Sequence, residues 1–173
     1  MIAAASGQWT TVKCLLENSD PDALDAFGCD ALVHACSARS DGCFELILGH
    51  RQALKIDRVG RNALCSAAKH GHLHAVVRLL GMGQDPHLRD HGGCSAWMLA
   101  ALNGHKDCVE ALLPHVGMDS VRDVVQSDAG LSDLCGNGPM ARIIEEWLRS
   151  KTEALELAEA VPHTDGTRAA GRL

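Results

Sequence analysis

The chain has 173 residues, a formal charge of −6, 46% hydrophobic and 22% charged residues, and no tyrosine. That balance belongs to a folded chain, and no run approaches the roughly 20 apolar residues of a membrane span, so no membrane insertion is expected. Acids and bases are interspersed and only 3% of residues are aromatic, which supplies neither the basic stripe nor the stacking platforms that nucleic acid needs.

In chain order, Met1-Ile2-Ala3-Ala4-Ala5 lacks the basic region of a signal peptide, and polar Ser6-Gly7-Gln8 follows at once. A short pattern then returns every 32 or 33 residues: Gly28-Cys29-Asp30-Ala31-Leu32, Gly60-Arg61-Asn62-Ala63-Leu64 and Gly93-Cys94-Ser95-Ala96-Trp97. Small pairs follow each glycine at one offset (Ala35-Cys36, Ala67-Ala68, Ala100-Ala101), and Leu16, Leu48, Leu80 and Leu113 close the units. Repetition of this length predicts helical units that cannot bury their apolar faces alone and gain stability by stacking.

Each unit reads as a tip, a short helix, a turn, a longer helix and a loop. Asp30, Asn62 and Ser95 are N-cap candidates for the first helices, whose alanines allow close approach to neighbours. Gly71 and Gly104 stop two of them. In the unit after Gly60, Leu73, Val76, Val77 and Leu80 are the predicted apolar stripe of the second helix. The next second helix is expected over Lys106 to Leu113.

The predicted division is a partial unit over 1–24, units over 25–56, 57–89 and 90–123, a degenerate C-terminal capping unit over 124–151, and a short helix and unstructured tail over 152–173. The first unit lacks its turn and most of its first helix, which fits an excised piece of a longer array or a degenerate cap, the former being preferred. Toward the other end Asp119 to Asp128 has lost the glycine turn. A more polar helix from Pro139 to Arg149 suits a cap facing water, and Thr152 to Val161 either continues it or adds a short helix.

The segment from Asp57 and Gly60 through Ala67-Ala68 and Gly71-His72 to Val76, Leu79-Leu80, Gly83 and Asp85 resembles the ankyrin repeat pattern. Asp90, Gly93, Ala100-Ala101, Gly104-His105, Val109 and Leu112-Leu113 repeat it, and the resemblance covers about residues 1 to 150. It implies an all-α solenoid of stacked helix-turn-helix units. The family's Thr-Pro pair is replaced by Asp30-Ala31, Asn62-Ala63 and Ser95-Ala96, its histidine by Val33, Cys65 and Met98, and a helix-ending glycine by Arg39, which puts that turn's shape in question.

What the resemblance further implies is binding of a protein or peptide partner through the repeat tips and the concave face of the first helices. Carried over by offset, the tips offer Phe27, Arg58, Val59 and His91, and the concave face offers Ser37, Arg39, Lys69, His70, Leu102 and Asn103. Phe27 reads either as an anchor buried on binding or as a lid folded over the first layer. Arg39, Arg58, Lys69 and Arg89 read either as a mild basic strip for an acidic partner or as scattered solvated charges. The alternative role is a structural or regulatory segment packing mainly against its own larger chain.

Chemistry finds little support. Of the eight cysteines, Cys29 and Cys94 share one repeat offset and Cys36 sits where other units have alanine, and no CxxC spacing occurs, so free thiols in a reducing compartment, the cytoplasm or the nucleus, are expected. His70, His72 and His74 alternate, but across a turn into a helix, where such residues diverge, so no metal is expected. His34 with Asp30 and a cysteine lacks any fixed geometry for nucleophilic catalysis, and no phosphate-binding glycine motif occurs. The reading is a non-enzymatic, monomeric binding module without cofactors.

Overall fold

The computed structural model describes residues 1–17, 20, 23–50, 62–126 and 139–160. Its helices are α1 Ile2–Ala5, α2 Trp9–Leu16, α3 Ala31–Ala38, α4 Asp41–Gly49, α5 Ala63–His70, α6 Leu73–Gly81, α7 Ala96–Leu102, α8 Lys106–Val116, α9 Met118–Gln126 and α10 Pro139–Ala160. No sheet occurs among the described residues; Arg89 and Ser95 form an isolated antiparallel bridge.

Two layers follow from the alternation of short and longer helices. α1, α3, α5 and α7 pack side by side in one layer, α2, α4, α6 and α8 in the other, and each first helix lies against the second helix of its own unit. The first layer can close up because its contact faces are thin: Ala3-Ala4, Ala35-Cys36, Ala67-Ala68 and Ala100-Ala101 are all buried. Beneath them Leu32, Leu64 and Trp97, at one repeat offset, are buried essentially completely, as are Phe44, Val76 and Val109 of the second layer.

The cost of lacking a neighbour is visible at one position. Ile47, Leu79 and Leu112 are fully buried, whereas Leu15, their equivalent in α2, is 47% exposed, because no further layer among the described residues covers it.

Local capping agrees with the sequence at two sites and departs at the third. The Asp30 carboxylate accepts the Val33 N–H at 2.9 Å and the Asn62 amide oxygen accepts the Cys65 N–H at 2.8 Å. Ser95 holds the N-cap position of α7 with extended backbone but makes no such bond, and its hydroxyl is buried without a partner among the described residues. The predicted stripe of α6 is also shifted in phase. Ala75, Val76 and Leu79 are buried while Leu73 and Val77 face solvent, because α6 is flanked by both α4 and α8 and the small Ala75 fits the closest approach.

Arg39 keeps the glycine geometry it replaces. It adopts φ 53° and ψ 38°, beside φ 71° at Gly71 and 76° at Gly104, and is the single non-glycine residue with positive φ among those described. Its N–H donates to the Cys36 carbonyl and that of Ser40 to Ala35, as Gly71 and His72 donate to Ala68 and Ala67. Those bonds satisfy helix-end carbonyls in the same way in both units. The stack therefore dictates the turn, and the side chain bears the strain.

At the C-terminal side α8 runs past the expected Leu113 to Val116, with Pro114 inside it. Of the segment that lost its glycine turn, residues 119–126 are helical, within α9, which packs on α8 and α10. α10 continues unbroken to Ala160, so of the two alternatives at Thr152 the continuation holds. Met140, Ala141 and Ile144 anchor its first part in the core, while Leu155 and Leu157 are exposed. The expected tail lies outside the described residues.

Candidate functional site

The two described tips are built by aspartates, three residues before the tip glycine. Asp25 Oδ1 accepts the N–H groups of Phe27 (2.8 Å) and Cys29 (2.9 Å), the Asp25 N–H donates to the Cys29 carbonyl, and that of Gly28 donates back to Asp25. Asp90 repeats this with Gly92, Cys94 and Gly93. Asp25 Oδ2 also pairs with His34 Nε2 at 2.8 Å, and the His34 hydrogen bond holds the Asp25 carboxyl below its usual range, helped by Cys29 and Phe27 N–H donation and opposed by burial. Thus His34 serves the tip and not Asp30, which is occupied as a cap. Asp25 was missed as a site-building residue; the signal was its spacing to Gly28, the same as that of Asp90 to Gly93.

On this fixed turn Phe27 is 72% exposed and does not fold back as a lid. His91 lies exposed at the corresponding tip, and Arg89 Nη1 donates to the Gly93 carbonyl at 2.9 Å, stiffening that loop. Arg58 and Val59, the remaining tip candidates, lie outside the described residues.

The first-helix layer carries the other candidates. Ser37 and Ser66 hydroxyls meet at 3.1 Å and tie α3 to α5, and Ser66 also donates to the Val33 carbonyl. Beside them, His70 Nδ1 lies 2.9 Å from the Ser66 carbonyl, and Lys69 is half-buried. Leu102 is exposed, and Asn103 Nδ2 donates to the Leu99 carbonyl, so Asn103 also closes the end of α7. Arg39 is exposed along the edge where the turns between the two layers line up.

That edge holds a groove of about 560 Å³ bordered by Arg39, Leu73, His74, His105, Lys106 and Asp107, among others. Two histidines at one offset bridge units across it. His105 Nε2 reaches the Lys69 carbonyl at 3.0 Å, and His72 Nε2 reaches Asp41 Oδ1 at 2.7 Å. His72 and His74 do stand close, ring centroids 6.4 Å apart, both with an edge toward Phe44; His70 is turned to its own helix. No group of three His, Cys, Asp or Glu side chains placed to hold a metal occurs among the described residues.

The outer layer is laced with charge. Glu45 accepts from Arg78 at 2.8 and 3.2 Å and pairs with His74 at 2.7 Å. The Arg78 hydrogen bond, outweighing burial and aided by His74, holds the Glu45 carboxyl below its ordinary value. The cysteines described are all free thiols, and burial, with Asp107, pushes the Cys108 thiol up to about 11. No helix among the described residues is long and apolar enough to cross a membrane.

Stacked helix pairs in two layers, with turns lined along an edge and polar tips presenting single side chains, define a helical repeat solenoid. Residues 1–90 and 67–130 match the family described as Ankyrin repeats (3 copies), and the chain belongs to that family. That family is a repeat scaffold of a kind that serves protein interaction in general.

Proposed function

We propose that the chain recognises a partner protein through its hairpin tips and first-helix face, with Phe27 as the anchor. The supporting observation is an aromatic side chain left 72% exposed on a turn that Asp25 holds with two backbone hydrogen bonds. An exposed Phe is among the largest apolar gains available on binding, and a preformed turn loses little entropy when it docks. His91 extends the tip row, to which Arg58 and Val59 are assigned by repeat offset alone, and Arg39, Lys69, His70, Leu102 and Asn103 extend the helical face. The described cysteines, all free thiols, suit a reducing compartment, the cytoplasm or the nucleus.

Affinity capture from lysate with the native chain and with Phe27→Ala tests this, once circular dichroism shows equal helicity. Truncation of an anchor costs about 2 kcal/mol or more in binding, so a specific partner is expected to be lost or reduced at least about tenfold. A partner retained equally by both proteins would remove Phe27 from the site.

A further inference from the structure

Charge in this acidic chain is segregated by layer. The first helices α1, α3, α5 and α7 contain no Asp or Glu, whereas the acids of the described helices lie on α4, α8, α9 and α10. Acids adjoining the first layer are committed to local bonds: Asp30 caps α3, and Asp25 and Asp90 close the tips. Among the cations, Lys13 of α2 makes no ion pair among the described residues, but two others of the outer layer do. On the outer layer Arg78 is held by Glu45, and Lys106 lies 3.5 Å from Glu110. Lys69 and Arg39, which end α5 and follow α3, make no ion pair among the described residues. At the offset of Lys69, one unit on, Leu102 is 46% exposed.

We propose that the first-helix face takes an extended acidic peptide segment of the partner, with Lys69 and Arg39 receiving its carboxylates and Leu102 an apolar side chain. The proposal rests on the protein-recognition reading above and supplies the chemistry of the segment. Ser37, Lys69 and Leu102 form one row across α3, α5 and α7. Helices packed at about 8–10 Å make that row roughly 16–20 Å long, or about six residues of extended chain. The overall charge of −6 does not oppose this. Exposed charges farther away than the roughly 8 Å screening length of physiological salt are largely screened, so the charges close to Lys69 and Arg39 decide the contact. Asp41 and Asp107 border Arg39 on the groove side, but Asp41 is engaged by His72. A nucleic acid fits less well, since the face carries two full cations and no aromatic ring for a base.

Arg39 adds an independent observation. A left-handed arginine is retained where the other described units use glycine, and strained backbone of this kind is tolerated where the side chain has a use.

The test is selection of a displayed library of random peptides of about eight residues on the native chain, on Lys69→Glu/Arg39→Glu and on Lys13→Glu, an exposed position of α2, all checked for equal helicity. The expected result is enrichment of Asp and Glu in peptides selected by the native chain and by Lys13→Glu, lost in the double variant. Binding of a selected peptide should weaken about tenfold or more on the double change, and several-fold between about 0.05 and 0.5 M salt. Selected peptides without acidic bias, acidic bias surviving the double change, loss with Lys13→Glu, or no enrichment would each overturn the assignment. Displacement of the peptide by an oligothymidylate at lower concentration would overturn it in favour of nucleic acid. Neutral peptides that depend on Phe27 would sink the acidic assignment alone, whereas loss of both peptide and lysate partners would sink the protein-recognition reading with it.

Discussion

Replacing Arg39 with glycine should stabilise this protein. At φ 53° and ψ 38° the arginine Cβ meets the steric penalty of left-handed backbone, about 1–2 kcal/mol for an L-residue. Glycine removes it but gives back about 0.4–1 kcal/mol through the greater freedom of the unfolded chain. The net expectation is about 0.5–1 kcal/mol in favour of Arg39→Gly, since the side chain is exposed and makes no ion pair among the described residues. For a chain of this size about 1 kcal/mol moves the melting temperature by roughly 2–4 °C, so a rise of about 1–4 °C is expected. The assay is thermal and urea unfolding followed by circular dichroism, beside Arg39→Ala, which keeps a Cβ and should gain nothing. A fall in stability for Arg39→Gly would refute the reasoning and show that the arginine holds the groove edge together.

The same turns give a sharper contrast at Gly71 and Gly104. A Cβ on Gly71 would lie 2.5 Å from His105 Nδ1, while one on Gly104 meets nothing within 4 Å. Gly104→Ala should therefore cost about 1 kcal/mol from its backbone alone, and Gly71→Ala clearly more, with loss of the His105 to Lys69 bridge seen in the histidine NMR signals; equal costs would discount the clash. Asn62→Ala should cost about 1 kcal/mol by removing a working cap, whereas Ser95→Ala removes a buried hydroxyl without a partner and should be neutral or stabilising in urea unfolding. Glu45 supplies a pH dependence. Its folded pKa is depressed, so its contribution is present above the ordinary carboxylate value and is lost as the pH falls through the folded one. Urea midpoints measured from about pH 6 to about pH 3 should fall less steeply for Glu45→Gln than for the native chain; identical slopes would remove the Glu45 network as a source of acid sensitivity.

The repeat was legible because Gly28, Gly60 and Gly93 share an offset, and Asp30 and Asn62 were legible as caps because a carboxylate or amide reaches the third N–H from almost any neighbourhood. Ser95 was not, since its shorter side chain must choose one rotamer among competing packings. Arg39 could not be assigned a left-handed backbone from propensity, because the conformation is imposed by stacking on both sides. Periodicity misplaced the face of α6 for a related reason. The run Leu73-His74-Ala75-Val76-Val77-Arg78-Leu79-Leu80 is apolar at most positions, so it does not fix a phase, and two flanking helices chose Ala75 and Leu79. The Glu45 to Arg78 pair was within reach of the sequence, being opposite charges 33 residues apart, one repeat length.

The most direct test of partner recognition through the tip and first-helix face is photo-crosslinking from single positions in cell lysate. A photoreactive residue at Phe27 or Leu102 is compared with one at Val77, which is exposed between those two but on the outer layer. Recognition as proposed predicts a common crosslinked protein from positions 27 and 102 and none of it from 77. A partner captured from Val77 alone would contradict the proposal and move binding to the opposite side of the solenoid.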